Sequence, residues 1–502
     1  MKHLLTVFIA TCAFASFSQK LQFKVEGAKD TTVFLCRYYG SKLFYADTAE
    51  MKGGVVEFKA KADLKPGVLA LLMPDKNYFE FIYNKEDISI ETKAPDYVDN
   101  MKVKKSVENK LFVDYIHYLQ TQRKIANGLA DKRKSIKDSD PQHAKLGQQV
   151  DSITKLVTKY QENLVKNNPS TLVSKIINMS MDVFVPEAPK GANENYRYFY
   201  YRQHYWDHVD LKDDRLVNTP VFGSKVDYFF GKNMLVQHPD TILAFAYPLI
   251  DQLDKKSEMF KFVVDYITNT FGKSNIMGMD KVYIYMVDRY YCKRDENGNS
   301  LAFWMKNNGK LDTLCKENKI KMNLVQGVRP PNIILRDTTD VKWRDFYSLK
   351  SDYTILYFWD PECGHCKKTT PKLETLYQKK LKARNVEIFA IGKATGNDFN
   401  LWKKFIRENN LNFINVGLTQ SLYEIATKDP LAVIPKYTTL ESLNYHDTYD
   451  IYATPRMFVL DKDKKIVAKQ LTISQLEDFL DRMQGVKDAE KLFPPDPEEE
   501  AH

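Results

Sequence analysis

The most constraining feature of the chain is a seven-residue apolar run, Tyr353 to Trp359, that ends four residues before Cys363-Gly364-His365-Cys366. An unbroken run of this length between turn residues reads as a strand buried on both faces. Downstream of the cysteines, Leu373 and Leu376 continue at helical spacing to about Lys382. The first cysteine therefore falls at a helix start, where unpaired backbone N–H groups and the helix dipole favour a thiolate. Two cysteines three apart on a first turn can close a small disulfide. The competing reading, half of a structural zinc site, needs two further Cys or His ligands at suitable spacing. Downstream the sequence offers only His446 and His502, with no second CxxC, so the spacing favours redox chemistry.

The surrounding pattern is α/β. Ile333-Ile334-Leu335 carries strand signals, and Val386 to Ile391 is a second buried-type strand preceding a helix around Phe399 to Asn409. Arg456 to Leu460 and Ile466 to Lys469 pair across the turn Asp461 to Lys465, and a last helix spans about Ser474 to Met483. Strand, helix, strand, helix, hairpin, helix is a thioredoxin-like order.

The segment Tyr357-Phe358-Trp359-Asp360-Pro361-Glu362-Cys363-Gly364-His365-Cys366-Lys367 resembles the strand-to-active-site segment of thioredoxin-fold oxidoreductases. Ala453-Thr454-Pro455-Arg456-Met457-Phe458-Val459-Leu460-Asp461 resembles their cis-proline loop and following strand. Within that superfamily the chain resembles the TlpA/ResA-like branch of exported bacterial proteins, over about Gly327 to Met483, with a β element at Pro331 to Leu335 and an insertion before the proline. The resemblance implies catalytic roles for Cys363 as attacking thiol and Cys366 as resolving thiol, with His365 between them. It implies substrate contact at Thr454, Pro455 and Trp359. Two departures stand out: Tyr357 occupies the place of a buried Asp that serves proton transfer in thioredoxins, and Glu362 replaces a common Trp. Asp360 and Glu362 are then the nearby carboxylates, as auxiliary groups on an exposed loop; a carboxylate beside Cys363 raises its pKa against the effect of His365. The Cys-Gly-His-Cys tetrapeptide resembles that of protein disulfide isomerases, with potentials of about −180 mV against about −270 mV for thioredoxin. The TlpA/ResA resemblance points instead to a reductase, so the direction of electron flow stays open.

A chain of 502 residues exceeds one hydrophobic core. From about Lys20 to Asp96, alternating Leu21, Phe23, Val25, then Val55 and Phe58, Tyr78 to Tyr83 and Ile88 to Ile90 read as short strands. Between about Ser106 and Val325 the spacing turns helical. Val113, Ile116, Leu119 and Ile125, then Leu146, Val150, Ile153, Leu156 and Val157, form a long hairpin broken at Asp138 to Gln142. Further helices are expected around Asn195 to His208, Thr241 to Leu253, Glu258 to Phe271 and Asp280 to Tyr291. The expected fold class is multidomain: an all-β sandwich over 19–100, an all-α domain over 101–325, an α/β thioredoxin fold over 326–486, and a disordered Pro- and Glu-rich tail over 487–502. A β-domain and a helical domain ahead of a TlpA-like module resemble Gram-negative envelope proteins of unassigned function, the helical part through Tyr196 to Asp207. That likeness supplies no substrate.

Residues 1–18 read as a signal peptide: Lys2, an apolar run from Leu4 to Ala15, and small residues before Lys20. An uncleaved anchor and a lipoprotein signal at Cys12 are the alternatives. The run is too short to span a bilayer comfortably, and Thr11 is a poor residue before a lipidated Cys. A periplasmic or envelope location follows, with possible peripheral membrane association. Cys36 lies in a strand-like run and reads as a buried small hydrophobe, whereas pairing of Cys292 with Cys315 stays open. The net charge of +9 includes no basic block interleaved with aromatics, so nucleic acid is not expected as a partner. The expected partners are protein thiols or disulfides and a redox partner, and no cofactor or metal is expected. His204 and His208 have zinc-ligand spacing beside Asp207 but lack a third ligand, and Asp295 to Asn299 reads as a turn. The aromatic run Tyr196 to Trp206 reads as core. Two rival classes are a redox-inert scaffold, which needs neither cysteine, and a peroxiredoxin-like peroxidase, whose Pro-x-x-x-Thr/Ser-x-x-Cys pattern is absent here.

Overall fold

The computed structural model describes residues 18–487 and 490–495. They form two compact units: the described residues up to Val236 with Pro248–Val263, and Gln237–Tyr247 with the described residues from Val264 onward. The expected signal segment other than Ser18, and the chain end beyond Pro495, lie outside the described residues.

In the first unit eight strands build two four-stranded sheets. They are β1 (Lys20–Glu26), β2 (Thr31–Tyr39), β3 (Lys42–Met51), β4 (Val55–Lys59), β5 (Gly67–Leu72), β6 (Tyr78–Tyr83), β7 (Ile88–Lys93) and β8 (Lys102–Lys105). The orders are β4-β1-β7-β8 and β3-β2-β5-β6. Period-2 alternation places Leu21, Phe23 and Val25 inside, and Phe23 meets the rings of Phe58, Phe79 and Phe81 in one core shared by both sheets. Cys36 is buried, as its strand context implies.

Helices α1 (Val107–Lys134) and α2 (Pro141–Asn167) form the expected hairpin. Ser106 caps α1, while Asp140 caps α2 with Pro141 at its first position. The next helices are α3 (Leu172–Ser180), α4 (Tyr196–Gln203) and α5 (Pro220–Phe230). The first backbone N–H groups of α3 donate to the buried Glu108 carboxylate at 2.8 and 2.9 Å, which satisfies two orphan donors. The aromatic run differs from the core helix expected of it. Helix α4 stops at Gln203 and buries none of its residues, Arg202 lies over the rings of Tyr198 and Phe199, and only Tyr205, beyond the helix, is buried. Stacking on a cation lets these rings remain at a surface. His204 bonds Asp207 at 2.6 Å. Helices α6 (Pro239–Asp251) and α7 (Glu258–Gly272) each carry residues of both units.

The second unit continues with α8 (Asp280–Met286), which passes into a π-helical turn at Val287–Cys292, and α9 (Asn308–Met322). A disulfide joins Cys292 to Cys315. Asp295 accepts the N–H groups of Asn297 and Asn299 and forms a turn.

A seven-stranded sheet follows. Its strands are β9 (Ile334–Asp337), β10 (Trp343–Asp345), β11 (Tyr353–Trp359), β12 (Val386–Gly392), β13 (Ile414–Gly417), β14 (Arg456–Leu460) and β15 (Ile466–Lys469), in the order β10-β9-β13-β12-β11-β14-β15. Strand β11 is interior to the sheet, parallel to β12 and antiparallel to β14, so its apolar run is buried on both faces. The helices are α10 (Gly364–Leu376), α11 (Asp398–Glu408), α12 (Gln420–Lys428), α13 (Leu440–Leu443), α14 (Tyr445–Thr448) and α15 (Ile473–Met483). Ile355, Tyr357 and Trp359 of β11 pack with Cys366, Leu373, Trp402 and Leu476, while Leu356 and Phe358 pack on the other face with Tyr445, Tyr449 and Phe458. Helices α12 to α14 lie in the insertion between β13 and β14. The described residues 490–495 depart from the disorder expected over 487–502: the backbone N–H groups of Leu492 and Phe493 donate to Glu477, a buried carboxylate that also pairs with Lys380. Among the described residues no helix is long and apolar enough to cross a membrane, and no three His, Cys, Asp or Glu gather as a metal site.

Candidate functional site

The site is built where β11 ends. Because β11 is pinned between two strands, Trp359 is fully buried against the Phe405 ring at 5.2 Å. The next four residues then turn the chain into α10. Asp360 organises the turn: its Oδ1 accepts the N–H of Glu362 at 2.8 Å, and its carbonyl accepts the N–H of Cys363 at 3.2 Å. Cys363 is the N-cap of α10, extended at φ −69° and ψ 124°, and its side chain makes no capping bond to the helix backbone. The thiol is therefore half-buried at the positive end of the helix.

The second loop meets the first. Thr454-Pro455 is a cis peptide leading into β14, and the Thr454 carbonyl accepts the Cys363 Sγ at 3.1 Å. Thr454 and Pro455 are partly exposed, and Tyr452 on the same approach is 84% exposed. Cys366, one turn into α10, is 0% exposed, and the N–H of Asp360 reaches its Sγ at 3.5 Å. Cys363, Cys366, Thr454, Pro455, Trp359 and Asp360 thus converge on one point of the fold. His365 and Glu362 are exposed beside it on the helix start and the loop.

The two thiols have opposite electrostatics. Burial pushes the Cys363 thiol up, but bonds from the backbone of Cys366, from Thr454, from the Cys366 side chain and from the backbone of His365 together hold it below its ordinary value. Burial pushes the Cys366 thiol up to about 12, only partly offset by the backbone of Asp360 and by Thr454. A half-buried thiol held below its ordinary value beside a fully buried one pushed up suits an attacking thiol paired with a resolving one.

Several neighbours carry no sequence signal of their own. The hydroxyl of Tyr357, in place of the buried carboxylate that the resemblance led one to look for, bonds Thr370 Oγ1 at 2.8 Å inside the core. Lys393, just past β12, lies 3.4 Å from Asp360 and 3.1 Å from Asp398, and its N–H donates to the Trp359 carbonyl at 3.0 Å. Parallel pairing of β11 with β12 brings Lys393 alongside the loop after Trp359. Tyr445 of the insertion lies close enough to Asp360 to feel its charge. Such long-range pairs follow from strand order and leave no local pattern in the chain.

Residues 351–466 match a family described as Thioredoxin-like. Residues 20–112 and 139–308 match two families described as domains of unknown function, DUF4369 and DUF5106. Among solved structures, a domain of a possible thiol-disulfide isomerase from Cytophaga hutchinsonii is 33% identical, covering 32% of this chain and 94% of that one with a TM-score of 0.26. A thioredoxin-like protein from Bacteroides caccae is 17% identical over 60% of this chain and 99% of its own, with a TM-score of 0.37. The thiol-disulfide oxidoreductase ResA of Bacillus cereus is 30% identical over 169 residues, 33% of this chain and 82% of that protein. By that likeness, and with strand β11 leading into a helix capped by Cys363, the chain belongs to the ResA-like thioredoxin-fold thiol–disulfide oxidoreductases.

Proposed function

We propose that the protein is exported to the cell envelope and there exchanges the Cys363/Cys366 dithiol or disulfide with cysteines of other envelope proteins. The observation that carries this reading is the pairing of a half-buried Cys363, held below its ordinary value, with a fully buried Cys366. In the reducing direction the Cys363 thiolate attacks a substrate disulfide and forms a mixed disulfide, expelling one substrate thiolate, which takes up a proton. Cys366 then loses its proton and attacks Cys363 Sγ. The second substrate thiolate leaves, two electrons having passed to the substrate, and the enzyme holds a Cys363–Cys366 disulfide. Oxidation of substrate thiols runs the same steps backwards. A redox partner of the envelope restores the starting state.

Thr454 and Pro455 line the approach to Cys363, with the Thr454 carbonyl against the sulfur, whereas Trp359, expected beside them as a substrate contact, is buried against Phe405 and cannot reach a substrate. His365 favours the thiolate through its position on the helix start, Glu362 opposes it, and Asp360 orders the turn. The 19–100 and 101–325 segments position the substrate or hold the enzyme at the envelope, residues 1–18 act as the export signal, and 487–502 are the tail. Trapping tests the reading. Cys366→Ser in cells should accumulate mixed disulfides through Cys363, and fractionation should recover them outside the cytoplasm from a chain that begins near Gln19. Absence of adducts that depend on Cys363 would overturn it.

A further inference from the structure

The loop between β11 and Cys363 carries two carboxylates, Asp360 and Glu362, and a carboxylate there opposes thiolate formation. The backbone of Asp360 touches both cysteines, its N–H reaching Cys366 Sγ at 3.5 Å and its carbonyl accepting the Cys363 N–H at 3.2 Å, while its Oδ1 accepts the Glu362 N–H next to Cys363 at 2.8 Å. Its side chain is only 21% exposed and faces Lys393 Nζ at 3.4 Å, while Lys393 also reaches Asp398 at 3.1 Å. Lys393 is further tied to the loop by its own N–H on the Trp359 carbonyl. The ammonium therefore pairs with the more buried carboxylate of the redox loop and also with a second carboxylate at the start of α11.

We propose that Lys393 is a positioning residue for the disulfide chemistry, one that neutralises Asp360 and so keeps the Cys363/Cys366 couple more oxidising than the bare loop would be. The inference rests on the Cys363/Cys366 reading above. The other charged or titratable groups on the surrounding elements are Glu362 on the loop, His365, Lys367 and Lys368 on α10, Asp398 on α11, Tyr445 in the insertion, and Asp450 and Arg456 flanking Thr454-Pro455. Among the described residues Lys393 pairs with Asp360 and Asp398, so a substitution at Lys393 bears chiefly on those two carboxylates. Without the ammonium, Asp360 disfavours the Cys363 thiolate; the reduced state loses stability relative to the disulfide and the couple becomes more reducing.

The test uses the full-length protein. Thiolate formation at Cys363 is followed against pH, and the Cys363/Cys366 couple is equilibrated with glutathione buffers and read by mass mapping of alkylated peptides. Lys393→Met should raise the pH of half-ionisation and shift the redox equilibrium about threefold to tenfold toward disulfide, about 15–30 mV more negative. Asp360→Asn, which keeps the acceptor for the Glu362 N–H, should shift both the other way. Lys393→Arg should keep the wild-type values, and the double variant Lys393→Met with Asp360→Asn, which removes both charges of the pair, should lie between the two single variants. Unchanged titration and potential in Lys393→Met would overturn the proposal, as would a double variant that keeps the full Lys393→Met shift. A wild-type pair that never cycles would instead overturn the underlying redox reading.

Discussion

The asymmetry of the two active-site thiols makes a quantitative prediction about selective alkylation. Reduced, folded protein is treated with iodoacetamide between pH 6 and pH 10, quenched at intervals, and mapped by peptide mass. Only thiolates react appreciably. Cys366, pushed up to about 12, is ionised to roughly one part in 10⁴ at pH 8. Cys36, pushed by burial up to about 11, reaches roughly one part in 10³. Cys363, held below its ordinary value of 9.0, exceeds about one part in ten. Thiolate populations alone therefore separate Cys363 from Cys366 by at least about 10³, before the 0% exposure of Cys366 is counted. The sign of the pH dependence is fixed as well. Because the folded value is depressed, Cys363 labelling rises with pH and is half-maximal below pH 9, while Cys366 stays unlabelled until the chain is denatured. Comparable rates at Cys363 and Cys366, or half-maximal Cys363 labelling above pH 9, would refute the electrostatic account.

Other consequences concern the scaffold beneath the site. Tyr357→Phe leaves the Thr370 hydroxyl buried without its 2.8 Å partner and should cost about 1–3 kcal/mol in urea unfolding. Adding Thr370→Val should recover part of that loss, since two apolar partners leave no orphan. Glu477→Ala removes a 1% exposed carboxylate that pairs with Lys380 and receives the N–H groups of Leu492 and Phe493. It should cost about 3–5 kcal/mol and free residues 490–495 for limited proteolysis. Replacing both Cys292 and Cys315 with Ser opens a loop with a sequence separation of 23 and should lower stability by about 3 kcal/mol without altering the Cys363 alkylation profile.

Strand β11 and the cysteine helix were the most legible parts of the chain, because burial on both faces forces an unbroken apolar run and a helix start fixes where the cysteines must stand. The Thr454-Pro455 approach to Cys363 was legible only through resemblance, since 91 residues separate the two sides. The short strand β13, four residues long, carries too little pattern to stand out, and it joins the sheet only through its neighbours β12 and β9. Lys393 and the Tyr357–Thr370 pair depend on parallel registration and helix packing, so no local spacing announces them. In the first unit, the alternation of Leu21, Phe23 and Val25 translated directly into a sheet face. The aromatic run did not translate into core, because hydropathy counts rings as buried and takes no account of a cation such as Arg202 stacked over them.

The most direct test of the central claim is the reduction potential of Cys363/Cys366 in the full-length protein, measured by equilibration across glutathione redox buffers. The account predicts a reversible two-electron couple confined to these two residues, with Cys36 unchanged throughout. A midpoint near about −180 mV would assign an oxidising or isomerising role, and one near about −270 mV a reductase drawing on an electron donor. A pair that stays in one state across the whole range would contradict the account and leave the fold as a redox-inert docking module.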